Sequence, residues 1–257
     1  MIEYLHESQR RVLMAKFAKY AYFDHQEAKQ VAKAEGFNKT EFYDIDGAQV
    51  YLFRNSNAND LIISCRGTQP GEMNDVMADL EVFKSDSVTG TKIHQGFKEE
   101  VDKIYDVVEG RVKRLAGHKI WVTGHSLGGA MATILAQRLE FAGGHDVDTL
   151  YTYGSPRAGG PRFRAWCEKH LNHQRFVNNN DVVPCIPTFF RWRHSGKCHY
   201  IKSTGEVTNL GRWSSERIRD KGWSLIKTMF KGRFDLISDH NINDYILHLE
   251  NSCKLDI

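Results

Sequence analysis

The sequence predicts an α/β protein built on a mostly parallel central sheet with helices on both faces. Three observations carry that expectation. Residues 61–65, 119–123, 147–153 and 174–177 are β-prone runs, the first continuously apolar, as in a strand buried on both sides. Between them lie longer segments with apolar residues at helical spacing, so strand and helix alternate along the chain. Residues 119–142 then pass from strand to helix through a glycine-rich turn, with no intervening loop. At 257 residues, 41% of them hydrophobic, the chain is long enough for one such domain over 1–257 with its own core. No internal repeat, low-complexity tract or linker divides it.

From residue 7 to about 23, Leu13, Phe17, Tyr20 and Ala21 share one helical face, and Asp24-His25-Gln26-Glu27 reads as a capping box opening a second helix that ends near Gly36. These helices, within 1–40, are scaffold. Residues 42–45 and 48–54, joined by Asp46-Gly47, read as a hairpin on a type I′ turn. After the strand at 61–65 comes Arg66-Gly67-Thr68. The pattern then weakens, and residues 69–90 are expected to form a lid: Gln69-Pro70-Gly71 offers a hinge, and Met73, Val76, Met77 and Leu80 a short apolar stripe. An amphipathic helix follows His94-Gln95-Gly96-Phe97, with Val101, Ile104, Val108, Val112 and Leu115 inward.

Pro161 is placed to open the helix that runs to Leu171. Residues 198–202 and 206–210 resemble a hairpin turning at Thr204-Gly205, and a last helix covers about 241–249. Residues 212–233 hold seven Lys/Arg beside an apolar row of Ile218, Leu225, Ile226, Met229 and Phe230. That stripe reads first as a solvated helix face. With Arg191, Trp192 and Arg193 nearby, it also suggests peripheral contact with an anionic membrane or lipid surface.

The turn inside 119–142 is Gly124-His125-Ser126-Leu127-Gly128, a G-x-S-x-G followed by Gly129. A serine on a sharp strand-to-helix turn projects its hydroxyl away from the sheet, and the helix behind it aims free N–H groups at the same spot, where they suit a developing oxyanion. The bland alternative is a glycine-rich turn whose serine caps the helix. A nucleophilic serine needs a base, and the base needs a carboxylate to fix its tautomer. In open parallel sheets chemistry gathers at the carboxyl ends of strands, where Thr68, Ser126, Gly154 and Asp181 all fall. Asp181 is favoured as the acid, because Asp146 and Asp148 precede their strand. Among later histidines, His248 lies within a helix and His199 within a strand, whereas His240 lies in a loop ahead of a helix. His240 is therefore favoured as the base, with His199 the alternative.

Five stretches, in order, resemble the class 3 lipases, the fungal-type triacylglycerol lipases and their bacterial relatives: Ser64-Cys65-Arg66-Gly67-Thr68, Ile93-His94-Gln95-Gly96-Phe97, the segment from Val122 to Ala130, Tyr153-Gly154-Ser155-Pro156-Arg157, and Asn180-Asp181-Val182-Val183-Pro184. The resemblance spans about residues 40–250. It implies an α/β-hydrolase fold with Ser126 as nucleophile, Asp181 as acid and His240, followed by Tyr245, as base. It places the oxyanion hole on Thr68, through backbone N–H and hydroxyl, and on the backbone N–H of Leu127. The activity implied is hydrolysis of lipid acyl esters, or of another small ester, through an acyl-enzyme and with no cofactor. Rival readings are a lipase-like interaction protein without turnover, a phospholipase or esterase of other preference, and a serine peptidase.

Other features receive plainer readings. The formal charge of +3 gives no basic signature for nucleic acid. The first residues contain no apolar run suited to a signal peptide, and the five cysteines are odd in number without C-x-x-C spacing. A cytoplasmic location is expected, with export by a route lacking a cleaved signal as the alternative. His94 and His125 read as loop-holding residues. His194, Cys198 and His199 lack a fourth ligand at finger-like spacing, so no metal site is expected. Oligomeric state is not legible.

Overall fold

Eight strands hydrogen-bond into one sheet in the computed structural model, which describes residues 1–67, 83–179, 181–187, 191–202, 204–209 and 240–255. They are β1 (Lys39–Ile45), β2 (Ala48–Asn55), β3 (Asp60–Cys65), β6 (Lys119–His125), β7 (Val147–Tyr153), β8 (His173–Asn178), β9 (Lys197–Ile201) and β10 (Val207–Asn209), in the order β1-β2-β3-β6-β7-β8-β9-β10. The strands from β3 to β9 run parallel, while β1, β2 and β10 add antiparallel edges. The parallel run leaves Cys65, His125, Tyr153 and Asn178 at one edge of the sheet. The β1–β2 turn places both Asp46 (φ 50°) and Gly47 (φ 85°) in the left-handed region, as a type I′ turn requires.

Successive side chains of a strand point to opposite faces, so each inner strand feeds two cores. Ile62, Trp121, Tyr151, Tyr153 and Phe176 pack against α1 (Glu7–Tyr20), α2 (His25–Ala34) and α6 (Ile242–Leu255). Their neighbours Ile63, Val122 and Leu150 face α3 (Gln95–Arg114), α4 (Leu127–Phe141) and α5 (Pro161–His170). The buried strands still carry polar side chains, and several find a partner on α1 or the neighbouring strand, which offsets their desolvation. Ser64 Oγ donates to Phe17 O (3.0 Å), Thr123 Oγ1 to Met14 O (3.1 Å) and Trp121 Nε1 to Asp60 Oδ1 (3.0 Å). The first two bonds pin α1 across β3 and β6, and Tyr22, just after α1, lies against His125 at the carboxyl edge of the sheet. Asp24 accepts from the Gln26 and Glu27 amides, and so caps α2.

Two elements depart from the sequence reading. Strands β4 (Lys84–Asp86) and β5 (Lys92–His94) form a separate antiparallel hairpin, so residues 83–90 of the expected lid belong to its first arm and turn. Strands of three residues are too short to show a periodic signal. Helix α6 runs to Leu255, well past the expected end near 249. Thr68, the lid stripe of Met73, Val76, Met77 and Leu80, and the basic stripe at 212–233 lie outside the described residues. Among the described residues, no helix is long and apolar enough to cross a membrane.

Candidate active site

β6 ends at His125 and α4 starts at Leu127, leaving Ser126 alone to make the bend. It does so at φ 57°, ψ −134°, a conformation that costs a non-glycine residue about 1–3 kcal/mol and that persists only where the surroundings enforce it. The enforcing contacts are visible. Ser126 N–H donates to Tyr153 O (3.0 Å), and Gly128 passes so close to β3 that any side chain there would strike the Cys65 carbonyl. Ser126 is fully buried and occupies the cap position of α4, yet its side chain makes no capping hydrogen bond. The capping alternative therefore fails. Leu127, the first residue of α4, stands beside it with the amides of the helix start.

Asp181 follows β8, and His240 precedes α6. The fold brings them together across 59 residues of sequence: His240 Nδ1 lies 2.8 Å from Asp181 Oδ2, with both side chains almost wholly buried. A carboxylate can only accept here, so Nδ1 carries the proton and Nε2 is left bare as an acceptor. Nε2 is buried and has no hydrogen-bond partner among the described residues. The ring stacks on His125, the residue before Ser126, at a centroid distance of 4.5 Å, and it lies against Gly154, next to the Tyr153 that holds the Ser126 amide. The His240 ring thus lies beside the turn that carries Ser126. The carboxylate is fully engaged: Oδ1 accepts the Val183 amide (2.9 Å), and Oδ2 accepts the Tyr245 hydroxyl (2.5 Å). Burial and the neighbouring Asp181 push the Tyr245 phenol well above its ordinary range, which keeps it a donor. Arg157, buried, donates to the carbonyls of Cys185 and Pro187 and braces the loop after Asp181.

Two histidines that could compete are placed elsewhere. His199 Nε2 contacts Gln174 Oε1 (2.7 Å), and the ring stacks on Phe176; burial, with Lys197 adding, pushes it down to about 4. His173 touches Ser195 Oγ (3.0 Å), but its other nitrogen is held by Thr152 Oγ1 (2.9 Å), and burial lowers it to about 3. That contact ties β7, β8 and the approach to β9 together. His194 Nε2 donates to Pro184 O (2.7 Å), and Cys198 is buried on β9. Among the described residues, no group of three or more His, Cys, Asp and Glu is arranged to hold a metal ion.

Sequence reading placed Gly154 at a strand end and Tyr245 after His240, but did not say what either does. Gly154 sits at φ 57°, and a Cβ there would lie 2.7 Å from Asp181 Oδ2 and 2.8 Å from His240 Cε1. Both the backbone angle and the space require glycine. Gly154→Ala is expected to push the Asp181–His240 pair out of line and to lower kcat by about a hundredfold, the cost of roughly 1 Å of misplacement. The check is kcat on a soluble ester beside a thermal unfolding curve showing a folded protein. Unchanged kcat would mean that the pair tolerates displacement.

Comparison with known proteins accords with this geometry. Residues 62–191 match the model of the family described as Lipase (class 3). The lipase of Rhizopus niveus is 30% identical over 206 residues, covering 76% of this chain and 51% of that protein. The secreted mono- and diacylglycerol lipase 1 of Fusarium solani is 29% identical over 161 residues, covering 60% of this chain and 48% of that protein. The chain thus spans about half the length of these relatives. The solved structure of lipase II from Rhizopus niveus superposes with a TM-score of 0.69 at 24% identity, over 96% of this chain and 97% of that one. The fold is the α/β-hydrolase fold. The expectation of a cytoplasmic location is overturned, because the Fusarium solani relative is a secreted protein. The physical reason is that neither the fold nor the site chemistry depends on compartment, so unpaired cysteines and a polar first stretch do not fix one.

Proposed function

Because the chain belongs to the class 3 lipase family, we propose that it is a serine carboxylic-ester hydrolase cleaving acyl esters of lipids through an acyl-enzyme. The observation that carries this reading is the buried His240 ring, fixed at Nδ1 by Asp181 and bare at Nε2, stacked beside the strained turn that presents Ser126. In the reaction so read, Nε2 takes the proton of the Ser126 hydroxyl as its oxygen attacks the ester carbonyl. The imidazolium is stabilised by Asp181. It then returns the proton to the leaving alcohol, and water repeats the sequence to release the acid. Leu127 N–H, at the start of α4, and Thr68 hold the developing oxyanion. No step needs a cofactor.

The lipid-ester substrate is supported by the family match and by relatives that are lipases of glycerides. Peripheral contact with a lipid surface through 212–233, and a lid within 69–90 carried by Met73, Val76, Met77 and Leu80, complete the proposal from the sequence pattern alone. The test is hydrolysis of a panel of glycerides, phospholipids and short aryl esters, read beside fluorophosphonate labelling. Labelling with turnover of at least one glyceride is expected. A folded protein that labels but turns over only aryl esters would make it an esterase, and one that neither labels nor turns over any ester would be a lipase-like interaction protein.

A further inference from the structure

Resting on the reading of Ser126 and His240 just given, we propose that Tyr22 and His125 are positioning residues, a hydrogen-bonded bridge holding the chain before Thr68 in register with the loop that carries the base. Three contacts build it. His125 Nε2 lies 2.8 Å from His240 O, and a backbone carbonyl can only accept, so Nε2 carries the hydrogen. His125 Nδ1 lies 3.0 Å from the Tyr22 hydroxyl. The same hydroxyl lies 3.4 Å from His125 O, and it crowds Gly67 so closely that a Cβ there would come within 2.6 Å. The hydrogen bonds run with one polarity, Tyr22 O–H to His125 Nδ1 and His125 Nε2–H to His240 O, and Tyr22 meets Gly67 by close packing.

That polarity requires a neutral His125. Burial, with His240 adding, keeps the ring well below its ordinary titration range. His125 is itself wedged between the base ring, stacked at 4.5 Å, and the edge of Tyr22 at 5.9 Å. Neither residue offers an atom to the substrate in this arrangement, since both nitrogens and the hydroxyl are already engaged. Tyr22 follows α1, which the Ser64 and Thr123 hydroxyls fasten to the sheet, so the bridge ends on a rigid support. What it fixes is the main chain of His240, and with it the height of Nε2 over Ser126. A ring held only through its Nδ1 bond could still tilt about that bond.

The experiment measures kcat and KM on a soluble short-chain ester, counting active sites by fluorophosphonate titration so that rates refer to competent protein. Labelling of the wild type at Ser126 tests the underlying reading separately. Tyr22→Phe keeps the ring and should lower kcat about tenfold with KM unchanged. His125→Phe keeps the volume and should lower kcat about a hundredfold. The double variant should be no slower than His125→Phe, because a chain already cut is not cut further. His125→Gln, whose amide can still donate to His240 O, should recover most of the loss. The proposal is overturned if Tyr22→Phe and His125→Phe stay within about twofold of the wild type per titrated site, or if the two losses multiply. A drop in the titrated fraction at unchanged kcat per site would likewise overturn it, as the pair would then serve folding alone.

Discussion

Ser126→Ala should lower turnover by on the order of a millionfold and abolish fluorophosphonate labelling. Without the hydroxyl there is no acyl-enzyme, and only the oxyanion donors and binding remain, a residual worth about 10³–10⁴ over water. KM should change little, because the lost interaction belongs to the reacting bond. Stability makes a second, independent readout. Ser126 sits at φ 57°; alanine keeps the Cβ and hence the strain, whereas Ser126→Gly removes it. Ser126→Gly should therefore unfold at a higher temperature than Ser126→Ala while remaining as inactive. That pairing would show that strain is held in the turn for presentation of the hydroxyl. Labelling that persists in Ser126→Ala would place the nucleophile elsewhere.

What the sequence made legible was local. The Asp46-Gly47 turn, the strand-to-helix bend at Ser126 and the Asp24 cap each depend on residues within a few positions of one another, so pattern and turn chemistry reach them. The position of Asp181 beyond a strand, and of His240 ahead of a helix, narrowed the acid and base by chain order, and the geometry pairs them. Residues whose roles are created by tertiary contact stayed silent. Tyr245 meets Asp181 across 64 residues, and Tyr22 meets His125 across 103. Neither tyrosine differs in its local sequence from an ordinary core aromatic. Gly154 was marked only by its place past a strand end, and why glycine is required there appears once the fold sets the Asp181–His240 pair against it. The β4–β5 hairpin failed for another reason: strands of three residues are too short for any periodicity to register.

His240→Ala should cost nearly as much as Ser126→Ala, and the double variant little more, because nucleophile and base act as one unit. His199→Ala should retain most of the activity. The contrast follows from placement: His240 Nδ1 is held by a buried carboxylate and Nε2 is bare, while His199 is occupied by Gln174 and stacked on Phe176. Losing His199 removes packing between β8 and β9, so its effect should appear in the unfolding temperature rather than in kcat. Asp181→Asn should fall between them, with a loss of about 10⁴. An amide at Oδ2 can present N–H toward His240 Nδ1, which favours the tautomer whose Nε2 is already protonated and cannot accept. Tyr245 makes that substitution worse, since its hydroxyl donates to the same oxygen and would meet a donor. The order of kcat should thus be wild type near His199→Ala, then Asp181→Asn, then His240→Ala. If His199→Ala is the inactive variant and His240→Ala is not, the proton acceptor has been assigned to the wrong histidine, and the Asp181–His240 pair is a structural contact.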